Sequence, residues 1–144
     1  MANITAADSI YTITIDLIYP TPQALQGYMA DAAFASDAVE QAQVVMGVDG
    51  RMSHGWVPNP TVQTVSIMPD SPSQGLFENW IQAQQTSRQI LVANATIIIP
   101  GIGRAYTLTR GVLTQGKIMP DVNRVLAGTP FQITWERVTS AAVI

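Results

Sequence analysis

Residues 47–87 constrain this chain most, because they carry a reversal, a strand and a capped helix in unbroken succession. The reversal is Gly47-Val48-Asp49-Gly50-Arg51. Glycine takes positive φ at little cost and aspartate tolerates it, so Asp49-Gly50 turns the chain between two hairpin arms, 44–48 and 51–57. An irregular stretch with Trp56, Pro58 and Pro60 leads into a strand predicted over 61–68. A helix then opens at Ser71, whose hydroxyl can accept a backbone N–H. Pro72 fits the first helical position, and Gln74 stands where a capping-box partner belongs. Asp70 places negative charge near the positive end of the helix dipole. Leu76, Phe77, Trp80 and Ile81 fall on one helical face, with Glu78, Asn79, Gln82 and Gln85 opposite, so the helix has one side to bury. It is expected to end near residue 86 or 87.

Elsewhere the period is two. Tyr11, Ile13, Ile15 and Leu17 alternate with Thr12, Thr14 and Asp16, the pattern of a strand with one buried face, and Tyr19-Pro20-Thr21-Pro22 stops it. Phe131, Ile133 and Trp135 alternate with Gln132, Thr134 and Glu136 in a strand over 131–138. Residues 39–48 read as a strand feeding the Asp49-Gly50 turn. The β-branched run 90–99 reads as a strand buried on both faces, or sandwiched between sheet and helix. After Pro100-Gly101-Ile102-Gly103, residues 104–114 form its hairpin partner, with Tyr106, Leu108 and Val112 on one parity. Residues 115–129 are a long connection with room for one helical turn near 121–126. Residues 23–37 are Ala-rich without a clean period, and read either as a short helix or as an extended loop that carries Tyr28, Met29 and Phe34. An apolar loop of that length is unusual in a compact domain, and serves either as an interaction segment or as a flap that packs on its own core. The expected fold is mainly β with one flanking helix: a single domain over 1–144 whose antiparallel strands close into a barrel or sandwich. Its strand edges must be covered or joined.

Composition bears on what covers them. Charged residues are 12% of the chain, against about 25% in an average globular protein. Fourteen Thr and twelve Gln supply much of the polar surface instead. A surface so poor in charge suggests burial against other subunits. Without cysteine, no disulfide or thiolate metal site can contribute. The N-terminus lacks the pattern of a secretory signal and no apolar run approaches a membrane span, so a soluble, non-membrane protein is expected. The seven basic residues are scattered and form no nucleic-acid-binding stripe.

Candidate chemistry is sparse. His54, the sole histidine, has no nucleophile or acid at a motif spacing and reads as structural or solvent-facing. Asp31, Asp37 and Glu40 are close in sequence, yet general acid–base work needs two carboxyls held in one cleft. Gly101-Ile102-Gly103 opens into a strand instead of a helix, which excludes a dinucleotide fingerprint. Ser71-Pro72-Ser73 serves a cap better than it serves a nucleophile motif. Trp56, Trp80 and Trp135 lie on different elements, as core or interface anchors do. No catalytic, cofactor-binding or metal residue is assigned.

The order and spacing of Gly47, Asp49, Gly50, Ser71, Pro72 and the Gln84-Gln85 helix end resemble the tail tube proteins of contractile-tailed bacteriophages, with the likeness running from about residue 8 to 138. The resemblance implies a non-enzymatic virion protein that self-assembles into hexameric rings stacked as a hollow tail tube, built in the host cytoplasm. It implies sheath and baseplate partners, and DNA that transits the bore without specific binding. Residues 23–37 and 115–129 are then candidate docking segments, and a Thr/Asp/Gln strand face is the candidate bore lining. Related tail or baseplate rings and phage-derived secretion tubes are variants of this reading. A small β-barrel binding an apolar ligand is the alternative from another class.

Overall fold

Alternating apolar and polar residues make most of this chain strand, and the computed structural model describes residues 9–25, 34–116, 119 and 128–142. The elements run β1 (Ile10–Ile15), β2 (Tyr19–Ala24), β3 (Phe34–Ser36), β4 (Ala42–Met46), β5 (Met52–Trp56), β6 (Thr61–Ile67), α1 (Pro72–Ser87), β7 (Ala93–Ile99), β8 (Arg104–Gly116) and β9 (Thr129–Ala142). Seven strands form one sheet in the order β2-β1-β7-β8-β9-β6-β3, while β4 and β5 stand apart as a two-stranded ribbon. Every pairing in both is antiparallel.

A single buried amide reports how far the large sheet curls. The Tyr11 hydroxyl on β1 donates to Gln63 Oε1 on β6 at 2.8 Å, although β7, β8 and β9 lie between those strands. Across a flat sheet four strand spacings amount to about 19 Å. The sheet therefore bends until β1 faces β6. Trp135 Nε1 donates to the same oxygen at 3.1 Å, so the buried Gln63 carbonyl is satisfied twice. Its ladder stays open, with β2 and β3 as terminal strands. The antiparallel, mainly β expectation holds as a sandwich-like curl rather than a closed barrel.

The concave side holds the core: Ile13 and Ile15 of β1, Val65 and Ile67 of β6, and Phe131, Ile133 and Trp135 of β9 are all buried. Helix α1 covers the end where β6 finishes and β7 begins. Its Phe77 ring stacks on Phe131 at 4.4 Å between centroids, and Trp80 Nε1 donates to the Leu91 carbonyl at 3.1 Å. Ser71 caps the helix by accepting from the Ser73 N–H at 3.1 Å. The reciprocal half of a capping box does not form. The Ser71 N–H is already bonded to the Met68 carbonyl at 3.0 Å, and the Gln74 amide turns to Glu78 at 3.4 Å. Left-handed Arg88, at φ 56°, ends the helix.

Two further expectations are corrected. Strand β7 buries one face, not both: Ala93, Ala95 and Ile97 are buried while Asn94 is exposed, because nothing among the described residues covers the convex side. On β8 the inward parity passes from Leu108 to Gly111 and Leu113, leaving Val112 only half-buried. The cause is a bulge around Arg110, which adopts φ 52°. Gly111 is needed there, since a Cβ would come within 2.4 Å of the Trp135 ring packed over it.

Strands occupy both ends of the 23–37 segment, where Gln23 and Ala24 belong to β2 and Phe34 opens β3. Tyr28 and Met29, like the helical turn expected at 121–126, lie outside the described residues.

Candidate assembly surface

The β4–β5 hairpin is built by its turn. Gly47 donates to the Arg51 carbonyl at 2.7 Å and Gly50 to the Gly47 carbonyl at 3.0 Å. Asp49 Oδ1 accepts from the Arg51 N–H at 3.1 Å, and Gly50 sits at φ 86°, a conformation that disfavours any side chain. Register then pairs Ala42 with Trp56, Val44 with His54 and Met46 with Met52. Directly opposed residues share a face, so this one is almost wholly apolar. Val44, Val45, Met46 and Met52 are exposed, and Trp56 is 76% exposed. A lone two-stranded hairpin is marginal in water. An apolar one in solvent is a surface made to be covered.

Its root is stiff. The Val57 N–H donates to the Gln41 carbonyl at 3.1 Å and the Asn59 side chain to the Glu40 carbonyl at 3.0 Å, while Pro58 and Pro60 lock φ on the returning arm. β3 leads down to the hairpin and β6 back from it, so it projects from the end opposite α1. Between the root and residues Glu136, Arg137 and Val138 of β9 lies an open cleft of about 460 Å³. At the helix end a smaller apolar exposure faces the other way: Leu17, 83% exposed and held at φ 74°, together with Ile90.

The convex side of the sheet is of a different character. Thr12, Thr14, Asn94, Thr96, Thr107 and Thr109 line a shallow depression across β1, β7 and β8. Their hydroxyls are partly used up on neighbouring carbonyls, as in Thr12 to Thr96 at 3.3 Å, Thr14 to Asn94 at 3.2 Å and Thr109 to Arg137 at 3.2 Å. The exposed Arg110 and Glu136 side chains neutralise one another at 3.0 Å. This wall is polar and carries little net charge.

No reactive constellation accompanies these surfaces among the described residues. His54 is exposed on β5, and Asp37 and Glu40 are exposed on the descending arm. No group of three or more described His, Cys, Asp or Glu residues is placed to hold a metal. No helix among the described residues is long and apolar enough to cross a membrane. The glycines at 101 and 103 belong to a 3-10 turn, Pro100–Ile102, closed by Gly103 at φ 66°. Of the contact residues expected from sequence, Phe34 lies on β3 paired with Val65. The apolar hairpin face was missed as a contact surface. Its signal was legible, because Val44, Val45 and Met46 put apolar side chains on both parities of the arm.

Comparison with known proteins agrees with this architecture. A family model described as tail fiber protein gp32 matches residues 2–139. No curated protein matches the chain. Among solved structures, the sheath/tube terminator of an extracellular contractile injection system in its extended state is similar at a TM-score of 0.62 and 15% identity, covering 99% of both chains. The tube-terminating cap of the anti-feeding prophage is similar at 0.58 and 14% identity, with 99% of this chain and 93% of that one covered. The sheath–tube complex of the extracellular system gives 0.58 at 15% identity, covering 92% and 88%. At such identities the shared property is the fold.

Proposed function

The chain belongs to the tail fiber protein gp32 family, and from that premise we propose that it is a self-assembling ring subunit of a contractile-type tail, in the tube body or at the tube's terminal or baseplate ring. The observation that carries this reading is the β4–β5 hairpin, whose apolar face is stable only when covered. Six copies form a ring and the rings stack. The hairpin at one end and the Leu17–Ile90 exposure at the other suit heterologous, head-to-tail contacts, which propagate along an axis. Sheath and baseplate proteins are the outer partners, and particles assemble in the host cytoplasm before joining the virion.

The threonine-rich convex wall is the surface best suited to a bore through which DNA passes. Lysines or arginines there would release counterions, grip phosphates and retard the strand. A wall of uncharged hydroxyls, several of them already bonded to backbone carbonyls, offers DNA little to hold. The role is structural, and no reaction is assigned to it.

Negative-stain microscopy of the purified protein tests the proposal. Rings or short tubes are expected. A monodisperse monomer at high concentration would favour the second reading, an apolar-ligand carrier, for which the half-open recess of about 310 Å³ lined by Ile97, Ile99, Tyr106, Leu108 and Val138 is the available site.

A further inference from the structure

Methionine packs as an apolar residue, yet its thioether is also a soft, uncharged metal ligand. The apolar face of the β4–β5 hairpin carries two of them, and the ladder fixes what stands beside them. Val57 donates to the Gln41 carbonyl and Gly47 to the Arg51 carbonyl, so the odd-numbered positions of β4 carry the bonds. Ala42, Val44 and Met46 fall in the pairs between, opposite Trp56, His54 and Met52. Such non-hydrogen-bonded pairs bring side chains closest. Met46 and Met52 are therefore direct neighbours, with Cβ atoms about 4.5–5.5 Å apart, and His54 stands next along the same face, diagonal to Met46 within about 8 Å.

These three side chains are unengaged in the subunit. Met46 and Met52 are 63% and 56% exposed, and neither ring nitrogen of the exposed His54 bonds to a described residue. The Asp49 carboxylate turns into the loop, where it accepts from the Arg51 N–H. What the face offers an ion is thus two thioether sulfurs and one imidazole, with no charged residue among the six that share it. Zinc sites favour thiolate, imidazole and carboxylate ligands, and magnesium and calcium favour oxygen. Thioethers select soft ions of the Cu(I) class. Charge points the same way: desolvation rises with the square of the charge, so a divalent ion on this uncharged face would cost about four times as much as a monovalent one. Trp56 follows His54 on the same face and can offer its ring to a cation.

We propose that Met46, Met52 and His54 form a binding site for a soft monovalent metal ion, Cu(I) or its analogue Ag(I), with Trp56 flanking it. The ion bridges β4 to β5 above the Asp49-Gly50 turn and staples a ribbon that is marginal by itself. The site rests on strand register and ligand chemistry, independently of the self-assembly reading.

The test titrates the full chain with Ag(I) in nitrate buffer. Ag(I) needs no reductant, and the absence of cysteine removes thiol competition. Calorimetry is expected to show one ion per chain, NMR to show the Met46 and Met52 methyl resonances moving together, and amide exchange in β4 and β5 to slow. Loss of an outer-shell partner alone commonly weakens a metal site about tenfold or more, so Met46→Leu, Met52→Leu and His54→Asn should each weaken binding at least that much. Met119→Leu, which removes an exposed methionine elsewhere, should bind like wild type, and Zn(II) should not displace the ion. Variants at 46, 52 and 54 that bind Ag(I) as tightly as wild type, or a Met119 methyl that moves as far as the other two, would overturn the site. A wild-type protein that forms rings or tubes but has no affinity for Ag(I) would overturn this inference alone and leave self-assembly standing.

Discussion

The helix-capped end of the sheet and the β4–β5 hairpin are made from similar residues and obey opposite rules. Both carry large apolar side chains. At the helix end those side chains converge: Phe77 stacks on Phe131 and Trp80 bonds the Leu91 carbonyl. In the hairpin the same kinds of side chain meet only solvent. Hydrophobic residues that find partners within one chain stabilise a fold, and those that find none specify an assembly. The difference lies in topology, since a strand inside a curled sheet has neighbours on both flanks and each strand of the projecting ribbon has one.

Mutations should separate the two regions sharply. The largest effect is expected from Phe77→Ala or Trp135→Ala, which open cavities in a closed core and should lower unfolding free energy by about 3–5 kcal/mol in urea titrations. Gly111→Ala forces a methyl into the Trp135 ring and should cost about 1–3 kcal/mol, read as a shift of the urea midpoint. Ser71→Ala removes the helix cap that holds the Ser73 N–H; a loss of about 1 kcal/mol is expected, with the far-ultraviolet spectrum otherwise intact. Smallest of all on the subunit itself is Trp56→Ser. Its side chain is largely exposed in the monomer, so measurements at low concentration should show unfolding free energy within about 0.5 kcal/mol of wild type. A large destabilisation from Trp56→Ser would erase the contrast on which the comparison rests.

Local signals made much of this architecture readable. The Ser71-Pro72 start places the helix at Pro72–Ser87, and alternation about Ile13 and Ile133 identifies which side chains turn inward. Long-range geometry was harder to see. No local pattern tells that Tyr11 and Trp135 share the carbonyl of Gln63, because that contact exists only after five strands have curled. The Arg110 bulge was invisible too, since a residue other than glycine at positive φ leaves no compositional trace, and it reverses the parity that assigned Val112 to the core. As for the assembly surface, the turn at Asp49-Gly50 was plain, yet its apolar arms read equally well as core strands. Only the structure shows that no layer of the described residues lies over them.

Sedimentation velocity of wild type and Trp56→Ser across a hundredfold range of concentration tests the central claim most directly. Wild type should move progressively into ring-sized or larger species while Trp56→Ser remains a folded monomer. Identical, concentration-independent monomer boundaries for both would contradict the account.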